Sequence, residues 1–336
     1  MKQFFIHNLP FSLESGDQLP KLEIAYTTYG QFSPSKNNVV WVFHALTANS
    51  DPADWWSGLI GEGKLFNPTD HFIVCANIIG SCYGSSGPLS LHPKTGKPYF
   101  ASFPMVTIRD MVNAHKLLQE HLGIKKVKFG LGGSMGGYQL MEWAIQDNTL
   151  FENLVLLATS AHESPWGKAI HESQRLAIEA DITWKNDDIN AGKNGLKAAR
   201  GIGMLTYRNY TIYGITQKDE EEKINDSKAS SYIRYQGEKL ANRFNAQSYY
   251  LLTKAMDSHS VSRGRKNAES VLNSIKAKTI IIGISSDILC PLKEQEFLSR
   301  HIPGSRLLVI DSPYGHDGFL IEYEKIHEIL ASLSYP

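Results

Sequence analysis

The stretch 131–140 reads LGGSMGGYQL, four glycines crowded around one serine. Two chemistries use such a loop. It can cradle a phosphate with backbone amides, or it can hold up a nucleophile on a sharp turn. The dinucleotide pattern G-x-G-x-x-G, begun at Gly130, meets Met135 where its third glycine belongs, and no acidic residue ends the next strand. A P-loop needs Gly-Lys followed by Ser or Thr, and no lysine is near. Residues Gly132, Gly133, Ser134, Met135 and Gly136 satisfy G-x-S-x-G, between a buried strand predicted over KKVKFGLGG and a helix predicted over GYQLMEWAIQDN. That context lifts the Ser134 hydroxyl above a sheet. Glycines two positions to either side keep side chains out of the neighbouring backbone. The helix N-terminus favours a developing negative charge.

A serine hydroxyl needs a base, and in this arrangement the chain order is serine, acid, histidine. Of twelve histidines, His316 in DSPYGHDGF lies after the strand SRLLVI and before the last helix, where a base belongs. His44 ends a buried strand and could line the site, but it precedes the serine. His115, His121 and His327 fall on helices as surface or packing residues. Asp287 follows the strand TIIIGISS with room for a loop to aim it at His316. Asp311 competes as the acid, although its place suits ordering the His316 loop. The two amides of an oxyanion hole are expected from Met135, just after the nucleophile, and from Leu46, in the turn after VVWVFHAL.

These residues need a scaffold of strand ends. KLEIAYTTYG alternates as an antiparallel strand does. The apolar runs at 37–46 and 71–79 suit strands buried on both faces. Residues 107–124 have helical spacing, with Gly123 as a stop, and FENLVLLATSA reads as a strand. From 162 to 265 there are helical stretches, HESQRLAIEADITW, NGLKAARGIGML and SSYIRYQGEKLANRF, and no convincing buried strand. Alternation resumes at KTIIIGISSD, continues through SRLLVIDS and ends in GFLIEYEKIHEILASL. The expected architecture is therefore α/β: a mostly parallel sheet flanked by helices. Its core is discontinuous, 1–161 and 266–336, with a helical insertion at 162–265 placed as a lid.

Composition narrows the classes. Apolar residues make up 42% of the 336, enough for a sizeable core, and 34 basic residues balance 34 acidic ones. No basic excess points to nucleic acid. Cys75, Cys82 and Cys290 lack metal-ligand spacing and make a disulfide framework improbable, which fits a reducing compartment. The N-terminal MKQFFIHNLPFSL does not read as a signal peptide. No apolar run approaches the roughly 18 residues that span a bilayer. A soluble, cytoplasmic protein is expected.

With these residues in hand, the chain resembles the homoserine O-acetyltransferase family, acyltransferases of methionine biosynthesis with an α/β-hydrolase fold. The resemblance runs nearly end to end: HALT (44–47), DWWSGLIGEGK (54–64), NIIGSCYGSSGP (77–88), HPKTGKPYFASFPMVTIRDMV (92–112), GGSMGGYQLMEWA (132–144), GMLTYR (203–208), SSDILCP (285–291) and YGHDGFL (314–320). HALTANS and GSCYGSSGP depart from the family's commoner, more glycine-rich forms. Carried over by position, the family's triad falls on Ser134, Asp287 and His316. Its homoserine-binding arginine and tyrosine fall on Arg200 and Tyr207, with Arg208 as a nearby alternative, and its aspartate after the histidine falls on Asp317. The resemblance implies acetyl transfer from acetyl-CoA to L-homoserine through an acyl-serine, with no metal and no cofactor beyond the co-substrate. It also implies a homodimer through the lid helices. Transfer of succinyl, or to serine, stays open as an alternative; plain ester hydrolysis or a non-catalytic binding role is a more distant one.

Overall fold

The computed structural model describes residues 2–222 and 224–332. Residues 333–336 of the expected second core segment lie outside them. Eight strands form one sheet: β1 (Lys2–His7), β2 (Leu22–Tyr29), β3 (Val39–Phe43), β4 (Phe72–Ala76), β5 (Val127–Gly133), β6 (Phe151–Leu157), β7 (Lys278–Ile284) and β8 (Arg306–Ile310), in the order β1-β2-β4-β3-β5-β6-β7-β8. β1 pairs antiparallel with β2, and β2 with β4. Every pairing from β4 to β8 is parallel.

The central strands have few polar side chains because both faces of the sheet are covered. β3 and β4 are buried at every position. Trp41 and Phe43 point into one apolar cluster, and Val40 and Val42 into the other. The first cluster takes Met111, Val112 and Leu118 from helix α1 (Ile108–His121) and Leu140, Met141 and Trp143 from α2 (Met135–Gln146). Thr107 and Asp110 form a reciprocal capping box that starts α1. The helix stops before Gly123, whose φ of 68° suits a glycine after a helix end.

Among the described residues of 162–265 there are five helices and no strand of the sheet: α3 (Pro165–Glu179), α4 (Lys193–Tyr207), α5 (Tyr210–Thr216), α6 (Lys228–Ala241) and α7 (Ala246–Asp257). α3 ends earlier than the predicted helix through Trp184, because Asp181 accepts the amides of Asn194 and Gly195 and so turns the chain towards α4. Charged contacts fasten the end of this segment to the core. Arg265 donates to both carboxylate oxygens of Glu142 on α2, at 2.5 and 2.8 Å. Arg263 and Arg109 share Glu14. After β7 come α8 (Leu292–His301), β8 and a predicted last helix that breaks at Glu322, leaving the one-turn helix Gly318–Ile321 and α9 (Tyr323–Ser332). Among the described residues no helix is long and apolar enough to cross a membrane.

The turn between β5 and α2 is tightly packed against neighbouring backbone. A β-carbon on Gly136 would collide with the carbonyl of Phe43 at the end of β3, and one on Gly132 would collide with the carbonyl of Gly136. Both obstacles are backbone and cannot rotate away. Gly136→Ala is therefore expected to cost about 2 kcal/mol or more, read as a lowered urea midpoint at unchanged slope.

Candidate active site

Ser134, Asp287 and His316 follow the C-terminal ends of β5, β7 and β8, and Leu46 follows β3, so the parallel sheet delivers all four to one edge. Ser134 has φ 54° and ψ −126°, a left-handed conformation that residues with a β-carbon rarely adopt. Its amide donates to Leu157 at the end of β6 at 2.9 Å, and its carbonyl accepts the Thr159 hydroxyl at 2.9 Å. The residue is thus fixed before and after the turn.

The three side chains are in line. The Ser134 hydroxyl lies 2.9 Å from His316 Nε2, and His316 Nδ1 lies 2.6 Å from Asp287 Oδ2. The other Asp287 oxygen accepts the amides of Leu289 and Cys290, each at 2.8 Å. Asp287 and His316 are buried. Burial alone would lower the imidazole pKa, but Asp287, by charge and hydrogen bond, together with Asp317 and Glu163, outweighs it and raises His316 above its ordinary value. Asp311, the competing acid, is exposed and accepts from Ser285 at 2.8 Å. His44 is occupied in holding loops. Its Nδ1 lies 2.8 Å from the Ala45 carbonyl, and its Nε2 accepts the Ile78 amide at 3.1 Å. Burial lowers its pKa to about 4, so it stays neutral. His115, also buried, lies parallel to Trp143 as a packing residue.

Among the described residues, the amides of Leu46 and Met135 donate to no protein acceptor. Arg243, just after α6, reaches the same turn, with Nη1 2.5 Å from the Thr47 carbonyl and 2.5 Å from the Tyr83 hydroxyl.

A match to the family model described as the alpha/beta hydrolase fold covers residues 38–323. The homoserine O-acetyltransferase of Cyclobacterium marinum is 49% identical over 331 residues, covering 98% of this chain and 94% of that one. The chain belongs to the homoserine O-acetyltransferase family, within the α/β-hydrolase fold. Among solved structures, the homoserine O-acetyltransferase from Bacillus anthracis superposes with a TM-score of 0.89 at 22% identity, covering 98% and 97% of the two chains. An acetylester hydrolase from Corynebacterium glutamicum superposes at 0.87 and 22%, covering 99% and 95%. At that identity both likenesses speak for the fold alone.

The residues matched to the family's acceptor site come from the insertion and meet the histidine loop. Arg200 and Tyr207 lie two turns apart on α4, with the guanidinium 5.2 Å from the ring centroid. The Tyr207 ring is 6.3 Å from that of His316. Gly315, at φ 65°, packs against the backbone of Tyr207 and Arg208, where a larger residue would be strained and crowded. Arg200 Nε is buried and has no hydrogen-bond partner among the described residues. Asp317 is already engaged: Arg208 Nε donates to its Oδ2 at 2.8 Å. Burial raises the Asp317 pKa against the opposing pull of Arg208, Arg200 and His316. Arg208, noted in the sequence only as an alternative to Arg200, is thus the partner of Asp317.

Sequence reasoning missed a second polar group beside the serine, Tyr138, Ser160 and Glu163. The Ser160 hydroxyl lies 3.3 Å from that of Tyr138, which donates to Glu163 at 3.1 Å. No local pattern marks these residues; the fold alone brings them to Ser134.

Two outcomes follow from this geometry. Asp287→Asn should lower turnover by on the order of 10⁴, as in other triads, while Asp311→Asn keeps most of it, both read by thiol release from acetyl-CoA. The second concerns pH. A base must be neutral, so acylation should fall as pH drops through a value above the 6.5 of an ordinary imidazole. In Asp287→Asn the limb of the remaining activity should move to lower pH, because burial then acts less opposed.

Proposed function

We propose that this chain transfers acetyl from acetyl-CoA to the hydroxyl of L-homoserine, in methionine biosynthesis, through acetyl-Ser134. The observation that carries the reading is the continuous hydrogen-bonded line from Ser134 through His316 to Asp287 in a chain 49% identical to a homoserine O-acetyltransferase.

His316 takes the Ser134 proton as Oγ attacks the thioester carbonyl carbon. Asp287 orients the imidazole and stabilises its cation. The amides of Leu46 and Met135 hold the negative oxygen, and the start of α2 adds a favourable dipole. The C–S bond then breaks, the thiol leaves with the proton from His316, and acetyl stays on Ser134. Homoserine enters, His316 removes its hydroxyl proton, and the oxygen attacks the acetyl carbon. The serine–acyl bond breaks and His316 returns the proton to Ser134. No metal and no further cofactor takes part.

Arg200, whose Nε has no partner among the described residues, binds the acceptor carboxylate. Tyr207 closes the pocket. The acceptor ammonium joins Arg208 at the Asp317 carboxylate, which has one oxygen outside the Arg208 bond. The segment 162–265 acts as the lid that keeps water, the competing nucleophile, from acetyl-Ser134. Exposed Leu205, Tyr210 and Ile215 on α4 and α5 support a homodimer joined through lid helices. We place the enzyme in the cytoplasm.

The half-reactions test this. Acetyl-CoA alone should add one acetyl group to the protein by mass spectrometry, mapped to Ser134 and absent in Ser134→Ala. In Arg200→Ala that acylation should persist at a near-normal rate, while transfer to homoserine collapses by on the order of 100-fold through a raised KM, as expected for losing a partly buried charge partner. Equal loss in both halves would remove Arg200 from the acceptor site.

A further inference from the structure

Glu163 stands beside the nucleophile and has no part in the steps above. It lies in the turn between β6 and α3 and is 5% exposed. The Tyr138 hydroxyl donates to its Oε2 at 3.1 Å, and the Ser164 amide donates to its Oε1 at 3.1 Å. The absence of a side chain at Gly167, in the first turn of α3, leaves room for Glu163 Oε1 where it lies. Each carboxylate oxygen thus accepts one hydrogen bond. Behind it His171 lies 2.7 Å from Asp257, which also accepts from Arg175 at 2.7 Å. Burial pushes the Glu163 carboxyl upward, against His171 and the Tyr138 hydroxyl.

Glu163 shares a cavity of about 10 Å³ with Ser134 and His316, whose apolar lining includes Met256 and Leu289. That is room for one water-sized group, the size of a methyl. We propose that this cavity receives the acyl methyl, and that Glu163 is a specificity residue whose carboxylate bars acyl groups ending in a carboxylate. The inference rests on the acyl-Ser134 reading above and adds the class of acyl donor refused. Size and charge act separately here. A butyryl chain and a succinyl chain have the same carbon length, so the small cavity penalises both. Only succinyl brings a second negative charge against Glu163. Two carboxylates brought together in a poorly solvated site repel strongly enough to change a rate by about 10- to 100-fold.

The experiment follows acylation of Ser134 by mass spectrometry, with acetyl-, butyryl- and succinyl-CoA, in mildly alkaline buffer so that the carboxyl is ionised. The readout is the succinyl-to-butyryl rate ratio within each variant, whatever its absolute rate. Glu163→Gln removes the charge and keeps one oxygen to accept the Ser164 amide, while its NH2 can donate to the Tyr138 hydroxyl, and its ratio should rise by about 10- to 100-fold. Glu163→Asp keeps the charge, and its ratio should stay near that of the unaltered protein. A structural role alone would move both variants alike. An unchanged ratio in Glu163→Gln, or an equal rise in Glu163→Asp, overturns the assignment. Failure of the unaltered protein to acetylate Ser134 at all would instead overturn the proposed function.

Discussion

Ser134 can stand above the sheet only while its backbone is held left-handed, a conformation that costs on the order of 1–3 kcal/mol. The rest of the site is arranged around that strain. The Leu157 carbonyl and the Thr159 hydroxyl grip the residue from β6 and the segment after it. The backbone of α2 comes so close to the end of β3 that only glycine fits at Gly136. The same closeness brings the turn carrying Leu46 to the Ser134 side of the sheet. Relaxing the serine would therefore displace its hydroxyl from His316 and Met135 from the turn at once.

The second constraint is electrostatic. A buried imidazole that must gain a proton pays a desolvation cost. Asp287 opposes it directly and is itself satisfied by two amides, so its remaining oxygen is aimed at His316 and nowhere else. Asp317 and Glu163 add negative charge from two further directions, and each is tied to its own partner, Arg208 and the Tyr138 hydroxyl. The histidine is poised by a ring of carboxylates whose positions are all fixed by other contacts.

What the sequence discloses depends on how local the cause is. β3, β4 and β5 are legible because strands buried on both faces must be apolar throughout; Ser134 and Asp287 follow such strands, and His316 follows the apolar edge strand β8, in the required order. β1 was not legible: it is an edge strand exposed at most positions, so its residues carry no clear burial pattern. α7 escaped because buried Gln247, Ser248 and Thr253 interrupt its apolar period. The overlong reading of α3 failed on Asp181, whose caps act on residues more than ten positions away. Arg200, Tyr207 and Asp317 came from family resemblance, and nothing in their own neighbourhood marks them. The pairing of Arg208 with Asp317 and the approach of Glu163 to Ser134 are products of tertiary folding alone.

Arg243 ties the inserted helices to the turn that follows β3. It closes α6 and clasps the Thr47 carbonyl, one residue beyond Leu46, along with the Tyr83 hydroxyl. The helical segment cannot swing away from the sheet without pulling on this turn or breaking the clasp. The clasp thus couples the placement of α6 to the turn that carries Leu46, so the two are positioned together although Arg243 and Thr47 stand 196 residues apart in the chain.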